Sequence, residues 1–135
     1  MNKSLLVFIF GLLSSYQALA AAHGDCKTQD NPWIEITSGS LLLSAKSLPE
    51  VISSSVPFNL VIYICQDDQA YTGNLKFDVK MPKHKHGMNY QASVINQNNG
   101  QYLIQGSLLH MPGLWRFSFT LDAQSQPLYY NHVLH

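Results

Sequence analysis

The chain has 135 residues, of which 46% are hydrophobic and only 12% charged. Eight Lys and Arg balance eight Asp and Glu, so the basic excess of a nucleic-acid-binding protein is missing, and the apolar content excludes a disordered chain. Six histidines stand beside one arginine, Arg116, which makes imidazole the main reserve of chemistry.

The first segment reads as an address. Lys3 gives a positive start, Leu5 to Leu13 is a compact apolar stretch, and Ala18-Leu19-Ala20 is a small-x-small cleavage site. Residues 1–20 are therefore expected to be a secretory signal peptide, with residues 21–135 forming one domain. The apolar stretch is shorter than the roughly 20 residues that span a bilayer. No second one follows, so no stable membrane insertion is expected after signal removal. Asp25 before Cys26 disfavours lipid attachment. Cleavage after Ala22 instead of Ala20 would expose His23, whose amine and imidazole can chelate Cu(II). The expected location is the periplasm or the exterior, where cysteines pair. Cys26 and Cys65 are the only two cysteines, and one disulfide between them is the simplest account.

The remainder reads as strands joined by turns. Trp33–Ile36 and Leu41–Leu43 are short candidates, and Ser47 to Ser55 with Pro49 reads as a turn. Phe58–Cys65 is nearly continuous apolar, as a central strand should be. Leu75–Met81 alternates, with Leu75, Phe77, Val79 and Met81 on one face. Tyr90–Ile95 and Gln101–Leu109 follow, joined through Asn98-Asn99-Gly100, whose residues accept positive φ. Leu114–Leu121 points Trp115, Phe117, Phe119 and Leu121 inward, and Pro127–Val133 closes the chain. About seven short strands predict an all-β, immunoglobulin-like β-sandwich. If each connection reverses the chain, the loop after Met81, the turn at His110-Met111-Pro112-Gly113, His132 and His135 share one end. Cys26 and Cys65 share the other.

Two short motifs carry the chemistry, Met81-Pro82-Lys83-His84-Lys85-His86-Gly87-Met88 and His110-Met111-Pro112-Gly113. Every methionine other than Met1 lies in them. Imidazole ligates copper and zinc, whereas thioether is soft and favours Cu(I). Neither motif contains a carboxylate, which disfavours calcium and magnesium. The candidate metal residues are His84, His86, Met88, His110, Met111 and Met81, and the candidate metal is copper, with Cu(I) favoured. Each has a purely structural alternative. Met81 ends an inward-facing series and can be core. Met111-Pro112-Gly113-Leu114 suits a type II turn. His84 and His86 can be solvated loop residues. Tyr129, Tyr130, His132 and His135 read as a strand and its end. No nucleophile elbow, phosphate loop or zinc-protease motif is present, and Asp67-Asp68 falls in a turn, so no protein-based catalysis is expected.

The segment KFDVKMPKHKHGMNY…GQYLIQGSLLHMPGLWRFSFTL resembles the FixH-like/YtkA-like group of exported bacterial β-sandwich domains. The carriers are a strand ending Met-Pro, then His-x-His-Gly-Met-Asn, Gly-x-Tyr, and Leu-x-His-Met-Pro-Gly-x-Trp. The resemblance covers about Leu75 to Leu121 and supports the fold more than the function. It implies copper handling, or assembly of copper-dependent respiratory oxidases, with a copper-dependent oxidase or another copper-handling protein as partner. FixH itself is membrane-anchored, and this chain departs from it there. The leading expectation is thus an exported, non-catalytic copper-binding or copper-delivery domain. The rival is an interaction module whose Lys83–His86 loop docks an acidic partner or anion without metal. A redox enzyme using bound copper is the third.

Overall fold

The computed structural model describes residues 26–135. The signal segment, both cleavage frames and His23 lie outside the described residues. Ten strands run in order: β1 (Ile34–Ser38), β2 (Leu41–Leu48), β3 (Phe58–Gln66), β4 (Gln69–Ala70), β5 (Leu75–Met81), β6 (His86–Gly87), β7 (Ser93–Asn96), β8 (Gln101–Ser107), β9 (Gly113–Leu121) and β10 (Leu128–Leu134). They form two antiparallel sheets. One has the order β1-β2-β3-β8-β7, with β4 on β3, and the other has the order β10-β9-β5-β6. This is the two-sheet order of an immunoglobulin-like sandwich, with β1 added outside β2.

Alternation builds the core. In β5 the burial pattern switches at every residue, so Leu75, Phe77, Val79 and Met81 go inward and Lys76, Asp78 and Lys80 outward. Trp115, Phe117 and Phe119 from β9 are fully buried. They meet Leu60, Ile62 and Ile64 of β3 in one apolar cluster. Between β7 and β8, Asn98, Asn99 and Gly100 all have positive φ. A Cβ on Gly100 would lie 2.6 Å from the Ile64 carbonyl oxygen, so only glycine fits this turn.

Several strand bounds differ from the sequence reading. β2 continues to Leu48 because Ser44 and Ser47 are buried despite being polar. Ser44 Oγ accepts the Gln29 N–H at 3.0 Å, and Ser47 Oγ donates to the Glu50 carbonyl at 2.8 Å. Tyr90 to Ala92 is not strand, since the chain there crosses from one sheet to the other and pairing starts only at Ser93. Two-residue strands β4 and β6 were not expected. Asp67 and Asp68, both at positive φ, form the tight turn that pairs β4 with β3.

Cys26 and Cys65 form a disulfide with Cα atoms 5.7 Å apart. From it the N-terminal segment runs across β2 and β3 as a strap. Gln29 Nε2 donates to the Val61 carbonyl at 3.2 Å, and Trp33 N–H donates to the Ala45 carbonyl at 2.8 Å.

Candidate metal-binding end of the sandwich

Strand direction places both motifs at one end. β5 enters the first motif at Met81, and β9 leaves the second at Gly113. These two strands are antiparallel neighbours. The disulfide lies at the opposite end, where β3 finishes. The C-terminal histidines fall near the motifs, because His132 pairs with Trp115 and Leu134 with Gly113 in the β9–β10 ladder.

The first motif is a tight reversal. Lys85 N–H donates to the Met81 carbonyl at 2.9 Å, and Lys85 takes φ 54°. Met81 then pairs with His86, and Lys80 with Gly87. The loop between projects Lys83, His84, Lys85 and His86 into solvent. The His84 and His86 rings lie 6.5 Å apart, centre to centre, and nearly parallel at 24°.

The second motif departs from a hydrogen-bonded type II turn. Gly113 adopts φ +126°. The Met111 carbonyl accepts a 2.9 Å hydrogen bond from the Trp115 indole N–H. A buried tryptophan needs such an acceptor, so the core side chain also fixes the turn. His110 meets the Trp115 ring edge-on with centroids 5.5 Å apart. Its Nδ1 is buried and has no hydrogen-bond partner among the described residues.

The six candidate residues thus occupy one end at different depths. Met81 lies in the core. Its methyl group packs against Gly113, where a Cβ would come within 2.8 Å of it. That contact joins the two motifs. Met88 and Met111 are half-buried against the same core cluster. His84 and His86 are exposed and His110 is half-buried. Among the described residues no group of three or more His, Cys, Asp or Glu side chains converges.

Sequence reasoning treated His132 as part of a strand end, but its surroundings are specific. It faces inward, 5.0 Å from the Trp33 ring and stacked on Phe117 at 6.2 Å. Its Nε2 is buried without a partner among the described residues. Burial, and then the neighbouring His135, lower its pKa from the usual histidine value. Inward alternation in β10 was the available signal, since His132 shares parity with Leu128 and Leu134.

No family model matches the chain, and no curated protein matches it.

Proposed function

We propose that this protein is an exported, non-catalytic copper-binding domain that holds Cu(I) at the His/Met end of its sandwich. The observation that carries this reading is the meeting of the two motifs at one end, joined by Met81 against Gly113. His84 and His86 supply exposed imidazoles, and the half-buried Met88 and Met111 supply thioethers at the same end. His110 adds a ring whose buried Nδ1 has no partner among the described residues, a feature that metal ligation by that ring would give a use. The donor set is soft, which fits Cu(I) and disfavours hard cations. Met81 contributes mainly by packing.

The Cys26–Cys65 disulfide fits an oxidising compartment, in line with export to the periplasm or beyond. The resemblance to FixH-like/YtkA-like domains points the same way, and a copper-dependent oxidase or another copper-handling protein is the partner it implies. Bound copper would supply a transferable ion, and the chain's own residues would bind it and orient it for transfer.

A Cu(I) competition titration on the mature, oxidised chain tests this. Cu(I) should bind in preference to Zn(II), for which thioethers are poor ligands. Replacing His84 and His86 together with alanine should abolish tight binding. Met111→Ala should weaken Cu(I) more than Cu(II), because the lost donor is soft. Acidification should release the metal, since protons compete for the same nitrogens. A chain that binds no Cu(I) would leave the Lys83–His86 loop as a docking knob for an acidic partner or anion.

A further inference from the structure

Edge strands expose backbone donors and acceptors, and proteins guard them with charge, proline or short length. In this sandwich β1 carries the exposed Glu35, β7 has four residues, and β6 has two beside the charged outer face of β5. β10 ends its sheet without such a guard. Its seven residues, Leu128-Tyr129-Tyr130-Asn131-His132-Val133-Leu134, include no Lys, Arg, Asp, Glu, Gly or Pro. Backbone groups alternate between the two sides of a strand. The Met81 carbonyl accepts from Lys85, on the side away from β9. Val79 shares that parity, so Phe117, which faces it, bonds toward β10. Tyr130 faces Phe117 and therefore bonds back to β9, as do Leu128, His132 and Leu134. Tyr129, Asn131 and Val133 turn their N–H and C=O groups to the open side. Among the described residues no other backbone hydrogen bond reaches them. Their side chains are exposed, and Arg116 braces two of them. Its Nε donates to Asn131 Oδ1 at 3.2 Å, and its guanidinium lies 5.4 Å over the Tyr129 ring. An open cavity bounded by Trp33, Val51 and Ser54 leaves the approach to Val133 unfilled.

We propose that β10 pairs with β10 of a second copy of the chain, antiparallel and two-fold symmetric about Asn131. The strand itself selects that occupant, because it is close to a palindrome of residue types. Laid antiparallel on its own copy, Tyr129 faces the partner's Val133, and Asn131 faces the partner's Asn131. These are the residues whose backbone groups are open, so each facing pair exchanges both hydrogen bonds and no open donor or acceptor is left over. Tyrosine opposite valine is an aromatic–β-branched pair, which stabilises antiparallel strands, and symmetry supplies it twice. On the inner side Leu128 faces the partner's Leu134, and Tyr130 faces the partner's His132. Neighbouring registers lose these matches. Centring one residue earlier sets Val133 opposite the partner's Pro127, which has no N–H to give. Centring one residue later sets His132 against itself and carries Tyr129 past the end of the partner strand. The two four-stranded sheets then join edge to edge, through an isologous contact that closes at the dimer. So short a contact implies a weak dimer. The proposal is independent of copper.

Sedimentation velocity of the oxidised mature chain, from about 5 µM to about 1 mM, should show a reversible monomer–dimer equilibrium. The Tyr129→Lys/Val133→Lys variant should weaken it about tenfold or more, by setting lysine against lysine in both outer pairs. The Tyr129→Lys/Val133→Glu variant sets lysine against glutamate in the same pairs and should dimerise more tightly than the first. Circular dichroism melts check that each variant folds. Facing hydrogen-bonded residues have Cα atoms about 5.5 Å apart, within disulfide range. Asn131→Cys chains should therefore cross-link with one another on oxidation. Tyr129→Cys chains should not, because Tyr129 faces Val133. Peptide mapping verifies that the Cys26–Cys65 bridge stays intact. Five results would each overturn the proposal. They are a chain monomeric throughout, assembly that grows past the dimer, a dimer indifferent to the paired lysines, a Lys/Glu variant no tighter than the Lys/Lys variant, and Tyr129→Cys chains that cross-link as readily as Asn131→Cys chains.

Discussion

Two rings show how single residues set the properties of this end. The half-buried His132 packs against Trp33 and Phe117. Desolvation lowers its pKa in the folded state, and His135 adds to the shift. The unfolded chain, with an ordinary value of about 6.5, therefore takes up the proton first as pH falls. This contribution to stability is complete above about pH 6.5 and is lost as pH drops toward the folded-state value. Thermal melts of metal-free protein should thus show a falling Tm from pH 7 to about pH 5. His132→Phe should flatten that fall, because it removes both the proton and the orphaned Nε2. An unchanged pH slope in the variant would assign the acid sensitivity to other groups. Trp115 is fully buried, and its indole N–H holds the Met111 carbonyl. Trp115→Ala should cost about 3–5 kcal/mol in chemical denaturation. A loss below about 1 kcal/mol would mean that the core relaxes around the deletion.

At the scale of elements, the contact between the two motifs depends on one glycine. Gly113 sits at φ +126° with the Met81 methyl against it. Gly113→Ala should cost about 1–3 kcal/mol, because an L side chain is strained at that φ. Cu(I) affinity should fall with it, because the turn carries His110 and Met111. Urea denaturation and the Cu(I) titration read the two effects separately. Stability equal to the parent would mean that the turn adopts an ordinary φ. Much of this architecture was legible in the sequence. The alternation of β5, the apolar run of β3 and the Asn-Asn-Gly turn are periodicity and turn chemistry, which need no knowledge of distant contacts. Strand reversal alone placed both motifs at one end. Other features lay beyond reach. The length of β2 depends on Ser44 being covered by Gln29, fifteen residues earlier in the chain. The short ladders β4 and β6 depend on turn geometry at Asp67-Asp68 and at Lys85. The depth of Met81 followed from the alternation of β5, whereas the use of Trp115 as a clamp on Met111 is a packing outcome that no local pattern encodes.

Over the whole molecule, the disulfide and the two His/Met motifs lie at opposite ends. The disulfide anchors the strap where β3 finishes, and the strap then runs to Trp33, which packs on Phe117 beside His132. The strap has few other fixings, chiefly the Gln29 bonds to Ser44 and Val61 and the Trp33 bond to Ala45. A bridge across a sequence separation of 39 removes loop entropy from the unfolded chain, and on that account contributes about 3–4 kcal/mol. Replacing Cys26 and Cys65 together with alanine should lower urea stability by roughly that amount. Because the strap's hydrogen bonds go to β2 and β3 and none to β5 or β9 among the described residues, the damage should also be uneven. Hydrogen exchange should show early loss of protection at the Gln29 and Trp33 amides, while Phe117 and Asp78, in the other sheet, keep theirs until global unfolding. If all four amides lose protection together, the strap and the two sheets unfold as one unit. If stability falls by less than about 1 kcal/mol, Gln29 and Trp33 hold the strap without the bridge, and loop closure contributes little.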